Sequence, residues 1–311
     1  MKGLQLSKQF FFEVGLPRIK HELPEIMPYL AAGLGGGSEC HENDDEISRD
    51  HGWGPGFGVW LQKDKKERFE TELRAVLDRL PKQFMGYEWA EEKDAKYACV
   101  ILNIDDFIIA KVGISDAPSN EFEWLNIAEE RLFEITHCRI FYDAPGDTTR
   151  RFNSFKQYYS EDVWKKRLSH HIYELWRWNI QYVKRSATRG DFVTAGLLWG
   201  RFAEHVMKVG FLLNREYAPY EKWLYVQFLK LPRLGQEIGQ LISRGIFHPS
   251  EIVNITEQLE AILINDLKRI GFEPHDVSEA AYPRETIKLL EFWKGIVDSI
   301  KNPEIRQFSF N

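Results

Sequence analysis

Residues 35–61 read GGGSECHENDDEISRDHGWGPGFGVWL, and this stretch decides how the chain is interpreted. It is dense in glycine, acidic residues and histidine, and is too polar to be a core segment. The preceding residues 28–35, PYLAAGLG, predict a short buried strand that ends in glycines. A strand that runs into Gly36, Gly37 and Ser38 exposes backbone N–H groups without side-chain obstruction, as phosphate oxygens require. We therefore expect a phosphate-binding turn here.

The composition bounds the class of protein. The chain has 311 residues, which at ~150 residues per domain predicts about two domains. It is 43% hydrophobic and 28% charged, as globular proteins are. The net charge of −6 argues against charge-driven binding to nucleic acid. Cys40, Cys99 and Cys138 are too scattered for a disulfide framework or a CxxC metal site, which indicates free thiols in a reducing cytosol.

Targeting signals are not evident in the sequence. The N-terminus lacks the pattern of a signal peptide, and no run approaches about 18 consecutive apolar residues. We therefore expect a cytoplasmic protein without a membrane anchor.

Hydrophobic periodicity divides the chain near residues 150–160. The N-terminal part mixes elements: helical pieces at residues 4–27 interrupted by Pro17 and Pro24, a helix at 64–80, and a short helix at 124–134. Three apolar runs in it are typical of strands: residues 97–102, 107–112 and 139–142.

The C-terminal part is helical throughout. Its helices are expected around residues 168–183, 198–209, 220–230, 236–244, 249–270 and 286–300. The pattern predicts an α+β fold, with a small mixed-sheet domain at residues 1–155 and an all-α helical bundle at residues 156–311.

Asp50 follows Ser38 by twelve residues, inside the sequence Arg49-Asp50-His51-Gly52-Trp53. This layout resembles the polymerase-β-type nucleotidyltransferase superfamily. The signature of that superfamily is a Gly-Ser turn, a spacer, two acids that flank one residue, and a third acid from a later strand. The resemblance implies that the acids hold two divalent metal ions, Mg²⁺ or Mn²⁺, which bind a triphosphate and activate an acceptor hydroxyl.

Two longer stretches narrow the resemblance. Residues 37–57, GSECHENDDEISRDHGWGPGF, are similar to the fingerprint of a bacterial family in which a minimal nucleotidyltransferase domain precedes a helical domain of unknown function. Residues 214–224, NREYAPYEKWL, are similar to the marker of that helical domain. The resemblance therefore covers roughly residues 25–230.

Gly52 departs from the family pattern. Members usually read Asp-His-Asp-Trp, so the second metal-binding acid is replaced here by a residue that offers no ligand. Loss of a carboxylate shared by two metal ions removes most of the catalytic rate. Asp44, Asp45 and Glu46 are close enough in sequence to substitute, although they resemble loop residues.

The third acid is expected to be Asp143, which ends the run Arg139–Tyr142 just before the turn Ala144-Pro145-Gly146. Asp105 and Asp106 are the alternatives, because they also follow a strand-like run. They lie between two apolar runs, which is typical of a hairpin turn.

Other residues receive simpler interpretations. Lys222 is a candidate to neutralise a triphosphate, since helical domains in this superfamily often supply a lysine or tyrosine, but it also suits the start of a helix. Asp191 is expected to cap the helix that follows it. His170 and His171 have no partner at metal-ligand spacing, and Trp53 and Phe57 are expected to be core residues.

The resemblance implies an enzyme that transfers a nucleoside monophosphate from Mg·NTP, with ATP expected, to a small acceptor that carries a hydroxyl group. In this hypothesis Asp50 and Asp143 hold metal, Gly37 and Ser38 cradle the triphosphate, and Lys222 neutralises it. The alternative is a catalytically impaired module that binds a nucleotide or a protein partner, because of Gly52.

Overall fold

The computed structural model describes residues 1–50, 52–89, 98–277 and 287–310, with the side chains of Ser48, Asp50 and residues 179–181 left out. The chain forms two compact units. The sheet unit comprises Met1–Ser119 and Arg131–Gln157, and the helical unit comprises Asn120–Glu130 and Tyr158–Asn311. The predicted α+β class is confirmed, since a small mixed sheet precedes a helical region. The division differs from the predicted boundary after residue 155 in that residues 120–130 belong to the helical unit.

The sheet unit is built on four strands in the order β5-β2-β1-β6. Strand β1 is antiparallel to β2 and β6, and β2 is parallel to β5, so the sheet is mixed as predicted. A separate hairpin is formed by β3 and β4. The described strands, in chain order, are β1 (Ala31–Leu34), β2 (Phe57–Leu61), β3 (Gln83–Phe84), β4 (Tyr87–Glu88), β5 (Cys99–Asn103) and β6 (Arg139–Asp143).

Strand β2 is central and buried over its whole length. Its residues Phe57, Val59 and Leu61 enter the main core, while Trp60 packs on the other face against the rings of Phe107 and Phe152, with centroids 5.5 Å away in each case. This strand is not evident from the sequence, because its apolar run is short, contains a glycine and follows a glycine-rich polar segment. Trp53 and Phe57 are core residues, as predicted.

The first half of the described chain contains seven α-helices, of which the one at Glu121–Asn126 belongs to the helical unit. In chain order they are α1 (Gly3–Phe10), α2 (Leu16–Glu22), α3 (Lys63–Leu77), α4 (Ile104–Val112), α5 (Glu121–Asn126), α6 (Glu129–His137) and α7 (Asp147–Phe155). Pro17 does not interrupt the first segment as expected. A π-helical turn at Phe11–Gly15 joins α1 to α2, so that Pro17 falls in the first turn of α2, where its missing N–H is tolerated.

Helix α4 corrects one strand prediction. Residues 107–112 are helical because Asn103 caps the helix: its side chain accepts a hydrogen bond from the Asp106 N–H at 2.9 Å. Gly113, with φ +84°, ends the helix in the left-handed region. Asp105 and Asp106 therefore lie in the first turn of a helix rather than in a hairpin turn.

The helices predicted for the second half are confirmed. Asp191 caps α10 as expected, accepting from the Thr194 N–H at 3.0 Å. No helix among the described residues is both long and apolar enough to cross a membrane. The second-half helices are α8 (Glu161–Trp176), α9 (Lys184–Thr188), α10 (Phe192–Leu213), α11 (Glu221–Phe228), α12 (Gly235–Phe247), α13 (Ile252–Arg269), α14 (Lys288–Asp298) and α15 (Pro303–Gln307).

Candidate functional site

The glycine turn, residues 35–38, follows the end of β1 directly. The turn is closed by hydrogen bonds from the Cys40 N–H to the Gly37 carbonyl at 3.2 Å and from the Asn43 N–H to the Ser38 carbonyl at 3.0 Å. Gly37 has φ +93°, a conformation that glycine adopts without strain. Within the described part of the chain, the N–H groups of Gly36, Gly37 and Ser38 have no hydrogen-bond acceptor. Three successive N–H groups are therefore available to an anion.

The register of the sheet determines which residues lie near this turn. Along β6, Arg139 pairs with Leu34 beside the turn, whereas Asp143 pairs with Ala31 at the opposite end of β1. A strand rises about 3.3 Å per residue, so Ala31 lies roughly 13 Å from Gly35. The turn thus shares its end of the sheet with Arg139.

Two cations flank the glycine turn. A Cβ atom placed on Gly36 would lie 3.0 Å from the Lys111 Nζ, so this ammonium group rests against the turn. It also pairs with Glu134 at 2.8 Å. The Arg139 Nε donates to the Cys40 carbonyl at 3.0 Å. The sequence does not point to Lys111, because the apolar run that contains it is also typical of a strand.

His41, in the same loop, is uncharged at neutral pH. Its pKa is lowered to about 4. Burial of the ring is the largest cause, and the charges of His137, Lys111 and Arg139 act in the same direction. The ring packs against Phe133, with centroids 4.9 Å apart. The positive charge beside the turn therefore comes from Lys111 and Arg139.

One carboxylate also faces the turn. Glu39 Oε2 accepts a hydrogen bond from the Ser38 hydroxyl at 3.4 Å. The same oxygen would lie 2.5 Å from a Cβ atom on Gly37, so the carboxylate folds over the turn. An entering phosphate must therefore displace this carboxylate or share a cation with it.

Asp143 is not brought to the glycine turn, which corrects the expectation that the two form one site. Its carboxylate accepts hydrogen bonds from the N–H groups of Gly146 at 3.0 Å and Thr149 at 2.7 Å, and so holds the turn that begins α7. The alternative, Asp105, pairs with Arg151. It follows the end of β5, and Asn103 of β5 pairs with Leu61 at the same remote end of the sheet.

The other end of β5 supplies a thiol. Cys99 pairs with Phe57, close to the acidic motif, and burial raises the pKa of its thiol to about 12. A thiol that stays protonated is not a ligand for magnesium. Strand β5 therefore provides no carboxylate at the turn end of the sheet.

The side chain of Asp50 lies outside the described residues, as does His51 entirely. The backbone of Ile47–Asp50 forms a single 3-10 turn. Gly52 has φ +61°, in the left-handed region. Asp44 does not substitute for the missing acid: its buried Oδ2 accepts from the Gly3 N–H at 2.8 Å and from Trp53 Nε1 at 3.1 Å.

Metal ligation has no support from the described side chains. Among them, no group of three or more His, Cys, Asp or Glu residues is arranged to hold a metal ion. Lys222 lies on α11 of the helical unit, exposed to solvent, with its Nζ 5.0 Å from the centroid of the Trp223 ring. Its role toward a triphosphate stays a prediction.

The helical unit contains a buried polar cluster, to which the sequence analysis gave no role. Glu129 Oε2 lies 3.4 Å from His171 Nε2, and His171 Nδ1 lies 2.9 Å from His205 Nδ1. One of the two Nδ1 atoms must carry the proton that the other accepts. Burial alone would raise the pKa of Glu129, but the His171 hydrogen bond and the charges of His171, Arg167 and Lys208 outweigh it and lower the pKa to about 2.

Arg167 organises the same cluster. Its buried Nη2 donates to the carbonyls of Trp124 at 3.0 Å, Leu125 at 3.2 Å and Ile127 at 2.6 Å. The guanidinium also lies over the Tyr159 ring, 4.8 Å from its centroid. These contacts join α8 to the segment 120–130 within the helical unit.

Part of the helical unit matches a known protein family. Residues 124–224 match the family model described as "Domain of unknown function (DUF4037)". The matched range includes Arg167, His171 and the stretch 214–224 quoted above. No curated protein matches the chain.

Proposed function

We propose that the sheet unit binds the triphosphate of a nucleotide at the glycine turn. The observation that carries this proposal is that the ammonium of Lys111 rests against Gly36, in a turn with three successive N–H groups that have no acceptor among the described residues. Backbone N–H groups and a lysine together form the usual cradle for phosphate oxygens. Arg139 adds a second positive charge beside the turn.

The acidic residues favour nucleotide binding over nucleotidyl transfer. Asp143 and Asp105 lie at the other end of the sheet, Gly52 has no side chain, and Cys99 stands at the near end of β5. The described residues do not fit a centre of two metal ions. Mg²⁺ or Mn²⁺ enters the proposal with the nucleotide, bound to its phosphates, and Asp50 is the ligand that the family resemblance implies.

Lys111→Met tests the nucleotide site. We expect the substitution to weaken binding of Mg·ATP about tenfold, because an ammonium that bonds to phosphate is lost. Isothermal titration calorimetry measures the affinity, and GTP, CTP and UTP identify the preferred base. Lys20→Met, at an exposed lysine of the same unit, is the matched control and should leave the affinity unchanged. Equal affinity in the Lys111 variant, or no binding by the unsubstituted chain, would contradict the proposal.

Gly52→Asp tests the second candidate function, transfer to a small hydroxyl-bearing acceptor. If the chain is an impaired transferase, the unsubstituted chain binds nucleotide without releasing pyrophosphate and Gly52→Asp releases it, since two carboxylates one residue apart can bridge two metal ions. The left-handed φ of +61° costs a non-glycine residue about 1 kcal/mol, and Asp and Asn tolerate it best.

Gly52→Asn is the control for that experiment, because it has the same shape without the charge. Release of pyrophosphate by Gly52→Asp alone supports an impaired transferase. Release of pyrophosphate by the unsubstituted chain would show that another carboxylate completes the metal centre. The hypothesis that the transferase is impaired would then be wrong.

A further inference from the structure

A cavity of about 380 Å³ lies in the sheet unit between α1, β6 and α7. Its volume falls in the range of sites for small ligands. It opens along β6, an edge strand of the sheet. Of the residues that line this cavity, the proposed function uses Arg139 alone.

Three cations line the cavity, each from a different element. They are Lys8 of α1, Arg139 of β6 and Lys156 at the end of α7. None of the described residues that line the cavity is acidic, and in the described part of the chain none of the three forms an ion pair. In a chain with a net charge of −6, three uncompensated cations around one cavity favour an anionic ligand.

Helix α7 directs one face into the cavity. Thr149, Asn153 and Lys156 all line it, and their spacing of i, i+4 and i+7 places them on one side of the helix. The hydroxyl and amide groups are hydrogen-bond donors that suit phosphate oxygens. Recognition by several directed donors is more specific than by charge alone.

An apolar surface completes the cavity. Phe141 of β6 and the buried Phe152 of α7 contribute to its lining, together with Leu4 of α1. An inorganic anion would leave this surface in contact with water, whereas a ligand with an apolar group would cover it.

We propose that this cavity binds a small organic phosphate, with its phosphate on Lys8, Arg139 and Lys156 and its apolar group on Phe141 and Phe152. The proposal does not depend on nucleotide binding at the glycine turn. Arg139 is the one residue that borders both places, through its bond to the Cys40 carbonyl.

Calorimetry with phenyl phosphate tests the proposal on the full chain. We expect millimolar or tighter binding, weaker binding of inorganic phosphate, and none of benzyl alcohol. The double variant Lys8→Met/Lys156→Met should weaken phenyl phosphate binding about tenfold, because two charged donors are lost. Both lysines are exposed, so the variant should keep its circular dichroism spectrum and melting temperature.

Two further variants separate this cavity from the glycine turn. Lys20→Met should bind phenyl phosphate normally, and Lys111→Met should lose affinity for Mg·ATP but not for phenyl phosphate. The proposal is overturned if the unsubstituted chain does not bind phenyl phosphate at millimolar concentration, if the double variant binds it equally well, or if inorganic phosphate binds as tightly.

Discussion

Gly33→Ala is expected to lower the free energy of unfolding by about 3–5 kcal/mol, one of the largest effects for a single methyl group. A Cβ atom on Gly33 would overlap the carbonyl oxygen and carbon of Arg139 in the neighbouring strand. The obstacle is backbone, so no side-chain rotation relieves it. The register of β1 against β6 also shifts between Ala32 and Gly33, so the pairing is irregular at this position.

Gly58→Ala is the matched control, because Gly58 pairs with Gly33 across β1 and β2. Its nearest neighbour to an added Cβ is the Gly33 carbonyl oxygen at 3.5 Å, an ordinary contact. Urea denaturation of the two variants gives the comparison. Similar losses of stability in both would show that the strands separate easily, contrary to the close approach at Gly33. Because β1 leads into the glycine turn, Gly33→Ala should also weaken Mg·ATP binding.

Acid is expected to destabilise the helical unit through its buried histidines. Burial first, and then the charges of His171 and Lys208, lower the pKa of His205 to about 2 from a reference value of 6.5. Burial and the charge of His171 lower the pKa of His170 to about 4. Both rings stay neutral in the folded state at pH values where the unfolded chain protonates them.

The direction of the pH effect follows from this difference. Since the unfolded state binds more protons, the stability that these histidines contribute is complete above their unfolded pKa and is lost as the pH falls below about 6.5. Each such group reduces the free energy of unfolding by about 1.4 kcal/mol per pH unit within its window. Glu129 adds to the loss only below its unfolded value of 4.5, because its folded pKa is about 2.

His205→Gln tests this expectation. Glutamine keeps a polar group beside His171 but does not titrate, so the decline in stability between about pH 6 and pH 5 should become shallower by about 1.4 kcal/mol per pH unit. Urea denaturation at several pH values measures the decline. His248→Gln, at an exposed histidine of the same unit, should leave it unchanged. An unaltered decline in the His205 variant would show that His205 is protonated in the folded state.

The elements with strong periodicity were predictable from the sequence. Helix α3 and the long helices of the second half show apolar residues at helical spacing over several turns, and they form where expected. The run FIIAKV is ambiguous because five apolar residues around one lysine fit a strand or a buried helix equally well. Its capping residue, Asn103, was the signal that distinguishes the two. Strand β2 is hard to recognise from the sequence because one of its five residues is a glycine and three other glycines, Gly52, Gly54 and Gly56, come just before it.

The candidate site was predictable in part. The sequence identified the glycine turn, whose N–H groups are available in the structure as expected. It associated Asp143 with that turn because both lie at strand ends, but a single sequence does not reveal which ends of two strands meet. Lys111 and Arg139 reach the turn through the packing of α4 and the pairing of β6, and neither contact has a local signature.

The interleaving of the two units along the chain has a consequence for their evolution. The helical unit takes residues 120–130 from within the stretch that forms the sheet unit, and this segment supplies Glu129 and the three carbonyls that Arg167 binds. A gene fragment that begins at residue 156 would encode the histidines and arginine of the cluster without their partners. Moving the helical unit alone into another protein requires recombination junctions on both sides of residues 120–130 and a third junction after residue 157. A single crossover cannot transfer the helical unit without also carrying residues 131–157 of the sheet unit, so descendants should inherit the two units together.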